Sequence, residues 1–305
     1  MPFERTKWVW MNGNLVRWAD ATVHVSAHGL HYGSGVFEGL RCYETGAGPA
    51  VFRLDAHLDR LYSSAAMYGL EIPYTQEELV RAVSDVIRSN GFTSCYLRPI
   101  CFPGSSTLGL HPRSCPVEVV LLAWPWETMH GVEALDAGVR VTVSPWFKFH
   151  SQMMPATAKA CGQYLNSILA VRDAVSRGYH EALLLASDGS IAEGAGENLF
   201  IVREGKLVTN DERYSILLGV TRDAVLEIAR DLGYPFEIGA LELEDLLRAD
   251  EAFFTGTAAE VTPIREVDGK LVGHGTRGPI TRRIQETFFA ACSGRHARYK
   301  KWLHF

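Results

Sequence analysis

Apolar segments in this chain come in two series, separated by the polar stretch ETMHGVEALDA at residues 127–137. Within each series the strand-like runs sit together instead of alternating one-for-one with helices. That grouping predicts α+β units and argues against a regular βαβ sheet. In the first series, Asn12-Gly13 between VWM and LVRW is the dipeptide that closes a two-residue hairpin. The first forty residues read as β structure, and an apolar run from Val36 to Tyr43 extends it. Leu54, Leu58, Leu61, Ala65 and Met67 predict a helix over 54–70, and Leu79, Val80, Val83, Val86 and Ile87 a second over 76–90. Strands are expected at 95–102 and 117–126. The pattern restarts with VRVTV at 139–143. A helix over 162–177, strands at 182–186 and 199–204, a helix over 221–232 stopped by Gly233, a strand at 251–256 and a helix over 278–291 complete it. The expected organisation is a smaller domain over 1–126, an interdomain loop over 127–137 and a larger domain over 138–305.

Of 305 residues, 47% are hydrophobic and 21% charged, enough apolar material for a sizeable core and too much for disorder. The net charge of −5 argues against a nucleic acid or an anionic membrane as partner. No apolar run approaches the ~20 residues of a membrane span, and MPFERTKWVW does not read as a signal peptide. Six scattered cysteines, none in a CxxC or at zinc spacing from a histidine, predict neither a metal site nor a disulfide framework and fit a cytoplasmic protein.

Seven lysines occur. Lys206 and Lys270 lie in turn sequences, Lys300 and Lys301 in a polar tail, and Lys7 and Lys148 beside aromatics along which they can snorkel. Lys159, in PATAKACGQYLN, has only small neutral neighbours. Either it is a solvated lysine at a helix start, or it is desolvated and therefore nucleophilic. In EGAGENLF, Glu193 and Glu197 flank a glycine-rich turn that brings backbone close to a ligand or simply exposes two acids. LLGVTRDAV starts a helix at Thr221 after Gly219, and FFTGTAAE ends a strand in a turn at Thr257; each offers amides and a hydroxyl to an anion. Arg60 falls on the apolar side of its helix, as an anion partner or in an ion pair with Asp55 or Asp59.

In order, HYGSGVFEGLRCYE, VFRLDAHLDRL, CYLRP, AKACGQYLNS, EGAGENLFIV, LGVTRDAV and TGTAAEVTPI resemble the branched-chain-amino-acid aminotransferase family, of fold type IV, over about residues 8–292. The resemblance implies a two-domain α+β/α/β fold with pyridoxal 5′-phosphate (PLP) at the domain interface. It also implies a homodimer or trimer of dimers whose neighbouring subunit completes the substrate pocket. Carried over, Lys159 is the Schiff-base lysine and moves the α-proton, Glu193 holds the ring nitrogen protonated, and Tyr164 bonds the phenolic oxygen. Arg60, Val220, Thr221 and Thr257 bind the phosphate. Phe37, Trp126, Tyr164, Leu108 and Leu110 supply the apolar substrate wall, with Tyr32, Tyr96 and Arg98 ringing it. Thr257 and Ala258 meet the α-carboxylate, and Arg98 the distal carboxylate of glutamate.

The implied reaction is transamination between L-leucine, isoleucine or valine and 2-oxoglutarate by a ping-pong route, a step of branched-chain amino acid biosynthesis. Met129 stands where many bacterial members carry a tyrosine, which leaves room for lower glutamate affinity or better tolerance of bulky and aromatic substrates. D-amino-acid, (R)-amine or aminodeoxychorismate chemistry on the same fold is the alternative within the class. A non-catalytic scaffold is the alternative outside it.

Overall fold

A computed structural model describes residues 6–305. The chain forms two units. The first comprises residues up to Trp126, together with Ala158–Gly162 and Ala291–Phe305; the second comprises Glu127–Thr157 and Gln163–Ala290. This differs from a single cut near 126. Ala160 bridges Val36 and the Phe37 amide donates to Lys159 O at 3.0 Å, which binds the lysine segment to the first unit. Leu303–His304 adds an edge strand to the same unit. Such pairings join residues far apart in sequence and leave no local signal. The expected loop 127–137 also contains a short helix, Ala134–Ala137.

The first unit holds an eight-stranded antiparallel sheet in the order Leu303–His304, Gly48–Phe52, Leu40–Thr45, Cys95–Pro103, Val117–Trp124, Trp8–Met11, Asn14–Arg17, with Val36–Phe37 also on Cys95–Pro103. Asn12 (φ 49°) and Gly13 (φ 89°) close the expected hairpin, both left-handed as a type I′ turn requires. The reading of the first forty residues as β is corrected by a helix at His28–Tyr32. His28 is pinned there by bonds to Ser34 Oγ (2.9 Å) and Gly109 O (3.0 Å), tertiary contacts that override local preference.

Alternation along the strand Cys95–Pro103 sends Cys95, Leu97 and Cys101 into the core. The helices Leu54–Met67 and Gln76–Asn90 bring Leu54, Leu58, Leu61, Val83 and Val86 to that core. Tyr96 and Arg98, one step out of phase, therefore take the opposite face of the strand.

The second unit holds a nine-stranded mixed sheet. Its order is Ile191–Gly194, Glu181–Leu185, Val139–Val143, Glu260–Val267, Glu251–Gly256, Asn198–Arg203, Lys206–Thr209, Phe236–Ile238, with Lys270–Leu271 beside Glu260–Val267. Val139–Val143 runs parallel to both of its neighbours. Ile191–Gly194, Lys206–Thr209 and Phe236–Ile238 escape a sequence reading because they are short. The helix expected at 162–177 is a 3₁₀ turn, Cys161–Gln163, followed by Tyr164–Ser176. The helix Val220–Asp231 ends before Gly233, whose φ of 77° makes it the stop. Among the described residues, no helix is long and apolar enough to cross a membrane.

Candidate active site

In the first unit Lys159 is held by its backbone. Its N–H donates to Ser64 Oγ at 3.0 Å and its carbonyl accepts from Phe37. The side chain is half-buried and its ammonium lies 5.1 Å from the Phe37 ring centre. Burial first, and then the nearby Arg60 charge, lower its pKa to about 8. The lowered pKa favours the desolvated alternative over the solvated one.

Arg60 forms an ion pair with Glu38. Its guanidinium is only 14% exposed and meets Glu38, Nε to Oε1 at 2.6 Å and Nη2 to Oε2 at 3.0 Å. His57 Nδ1 lies 2.7 Å from Glu38 Oε2. Burial alone would raise the Glu38 carboxyl, but Arg60 and His57 outweigh it and hold it well below the usual carboxylate range. Burial pushes His57 below its ordinary value, against the pull of Glu38.

Around the same lysine stand aromatic side chains. Arg98 lies over the Phe37 ring (4.5 Å), near Tyr96 (5.5 Å) and Trp124 (5.8 Å). Tyr96 packs against Trp124 and Trp126 at 4.9 and 5.4 Å. Arg98 Nε and Trp126 Nε1 are buried with no hydrogen-bond partner. A Cβ on Gly39 would meet Tyr96 Oη at 1.9 Å, so only glycine allows the hydroxyl its place. Tyr32, Leu108 and Leu110 lie elsewhere on the unit's exposed surface, Leu110 at 88%, with Tyr32 Oη donating to Leu108 O at 2.6 Å.

The second unit carries the acids. Glu193 and Glu197 are both buried, which excludes the exposed-turn alternative. Glu193 Oε1 meets Lys148 Nζ at 2.6 Å, while Oε2 accepts from Leu217 N (3.1 Å) and Asn198 Nδ2 (3.2 Å). Gly219 caps the helix Val220–Asp231 with no side-chain hydrogen bond, so its first-turn amides offer the positive helix end to an anion. A Cβ on Gly219 would meet Asn198 Oδ1 at 2.1 Å, which ties this helix start to the strand of Asn198. Val220 and Thr221 are buried in that first turn, and Tyr164, Thr257 and Ala258 are half-buried. His130, Glu181 and Glu197 also gather here, their donor atoms within 4.8 Å of one another. Burial, and then Glu197, push the Glu181 carboxyl well above its ordinary range.

Residues 35–267 match the amino-transferase class IV family. The chain is 44% identical to the branched-chain-amino-acid aminotransferase of Pseudomonas aeruginosa, over 96% of this chain and 95% of that one. The chain belongs to the branched-chain-amino-acid aminotransferase family. The enzyme of that name from Escherichia coli K12 is likewise 44% identical, over 99% of this chain and 98% of its own. Among solved structures, the Escherichia coli branched-chain amino acid aminotransferase superposes with a TM-score of 0.97 at 44% identity, covering 99% of both chains. The Thermobaculum terrenum enzyme, solved in its PLP form, superposes at 0.92 with 33% identity, covering 99% of this chain and 98% of its own.

Within this class IV aminotransferase, sequence reasoning misses Glu38, His57, Ser64, Lys148 and Asn198. Lys148 reads in sequence as a snorkelling lysine, yet it is about as buried as Glu193, which it meets at 2.6 Å. A signal for the others existed in part: His57, Arg60 and Ser64 recur at helical spacing, which puts three polar groups on one face. Glu38 sits in an extended segment and shows its partner only in the fold.

Proposed function

We propose that this chain is a PLP-dependent transaminase that exchanges the amino group of L-leucine, isoleucine or valine with 2-oxoglutarate, in two half-reactions taken in turn. The carrying observation is Lys159, a lysine with a pKa of about 8 beside the Arg60–Glu38 pair. Roughly one amine in ten is then uncharged at pH 7 and able to attack a carbonyl.

Each unit offers groups that suit a phosphorylated pyridine aldehyde. Lys159 offers the amine, and Arg60 a planar fork for the phosphate. Val220 and Thr221 at a helix start, and Thr257 in a turn, offer amides and hydroxyls. Glu193, held by Lys148, offers a carboxylate for the ring nitrogen, and Tyr164 a hydroxyl for the phenolic oxygen. When bound, PLP supplies the electron sink for the pair left at the substrate's α-carbon. Lys159 Nζ would take the proton from the substrate's α-carbon and deliver it to the cofactor's aldehyde carbon, and Thr257 and Ala258 would orient the α-carboxylate.

Phe37, Tyr96 and Trp126 make the wall for a branched apolar side chain. Arg98 receives the distal carboxylate of glutamate or 2-oxoglutarate. While an apolar substrate is present, the ring faces around Arg98 partly offset its charge, which avoids stranding a buried cation. The exposed corner of Tyr32, Leu108 and Leu110 is the part that one subunit lends its neighbour. The outward stripe of Leu165, Ile168, Leu169 and Val175 on the helix Tyr164–Ser176 is a subunit contact of a homodimer or trimer of dimers. All six cysteines are free thiols, which supports a cytoplasmic setting.

Mixing the holoenzyme with L-leucine should bleach its visible cofactor absorbance, and 2-oxoglutarate should restore it. Bleaching only by a D-amino acid or an (R)-amine overturns the substrate assignment. A colourless protein that takes up no PLP overturns the cofactor as well. Phenylalanine in the same assay reports whether Met129 widens the range.

A further inference from the structure

Three polar residues follow one buried face of the helix Leu54–Met67: His57, Arg60 and Ser64. Ser64 receives the Lys159 amide, while His57 and Arg60 both grip Glu38. Glu38 is fully buried and fixed from several sides. Its own N–H donates to Pro99 O at 2.9 Å, and Gly39 N–H donates to its Oε2 at 3.2 Å.

A guanidinium presents its N–H groups in one plane, along two edges. Glu38 takes the edge formed by Nε and Nη2, in the side-on arrangement. That fixes the plane and the roll of the fork, so the Nη1/Nη2 edge is aimed by Glu38 instead of by the flexible arginine stem.

We propose that Glu38 is a positioning residue for the cofactor's phosphate, acting through Arg60. The inference rests on reading Arg60 as a phosphate ligand. Two effects of Glu38 on a bound phosphate oppose each other. Its charge repels the phosphate and partly cancels Arg60, whereas its hydrogen bonds pre-orient the fork and remove an ordering cost. Orientation wins here because Glu38 is ion-paired with Arg60 and held rigidly by further contacts with His57 and the Gly39 amide, so its net repulsion is small while its restraint on Arg60 is strong.

The test compares PLP with pyridoxal, which lacks the phosphate, as ligands for the full chain reconstituted with each. Glu38→Asp keeps the charge but withdraws the carboxylate from Arg60, and Glu38→Gln keeps the shape but loses the charge. Both variants should weaken PLP binding roughly 10- to 100-fold, the range for a hydrogen bond to a charged group. Pyridoxal binding should stay within about twofold, and Glu38→Asp should cost nothing further in an Arg60→Gln background. If Glu38→Gln yields no folded protein, Glu38→Asp carries the comparison. Equal or tighter PLP binding by Glu38→Asp overturns the inference, as does an equal loss for both ligands, which is a packing defect. Arg60→Gln separates the two readings. If it spares PLP binding, the phosphate assignment of Arg60 fails, and the inference falls with it. If it weakens PLP but Glu38→Asp does not, only the inference fails.

Discussion

Desolvation and the neighbouring Arg60 charge bring Lys159 to a pKa of about 8, from 10.5 for a free lysine. The shift has a consequence for stability with a definite sign. Between pH 8 and 10.5 the unfolded chain holds a proton on this lysine that the cofactor-free fold has released, so raising pH through that window favours the fold. Below pH 8 both states are protonated and the full cost of burying the ammonium is present. Cofactor-free Lys159→Met should therefore be more stable than the parent at pH 7, with the gap closing from pH 8 to 10.5, as read by urea unfolding. A gap constant with pH would mean that Lys159 is not desolvated. Small neutral neighbours single Lys159 out among seven lysines in sequence, but they do not reveal whether its ammonium meets water or protein. Lys148 shows the converse. Its aromatic neighbours suggest a snorkelling side chain, and only its distant partner Glu193 makes it a buried counter-charge.

Elements declare themselves when their determinants are local. The helix Gln76–Asn90 has an apolar stripe, a Gly91 stop with φ 69°, and a capping box in which Thr75 Oγ accepts from Glu78 N at 3.2 Å and Glu78 Oε2 accepts from Thr75 N at 2.7 Å. Thr75→Ala should cost about 1 kcal/mol of stability. Cofactor affinity and turnover should stay unchanged, because the cap's hydrogen bonds close within the first turn of its own helix. A matching loss of activity would show that this helix start matters to the site. The Asn12-Gly13 hairpin is legible for the same reason, its turn chemistry residing in two adjacent residues. By contrast, Ile191–Gly194 becomes a strand through pairing with Glu181–Leu185, and His28–Tyr32 a helix through bonds to residues far along the chain. Neither outcome is encoded in a short window.

At the scale of the whole molecule, the helix Tyr164–Ser176 turns an apolar stripe outward. Leu165 is 67% exposed and Ile168 51%, and both stand at helical spacing with Leu169 and Val175. Surfaces of this kind mark contacts between proteins. Leu165→Glu with Ile168→Glu should shift the assembly to a smaller species by sedimentation at equal concentration. An unchanged mass would remove this face from the assembly.

The sequence by itself determined the family and the cofactor chemistry, and it singled out Lys159, Glu193 and Arg60 as candidates, because those signals reside in contiguous motifs and in the rarity of lysine. It also determined most helices and long strands, where periodicity is a local property. Only the tertiary structure decided which charge answers which. Glu38 stands 22 residues from Arg60 and Glu193 45 from Lys148, and burial forces each pair together because an unpaired charge inside the protein costs too much. The same holds for the division of the chain: residues 158–162 and 291–305 join the first unit by strand pairing, a choice made when sheet edges find their hydrogen-bond partners.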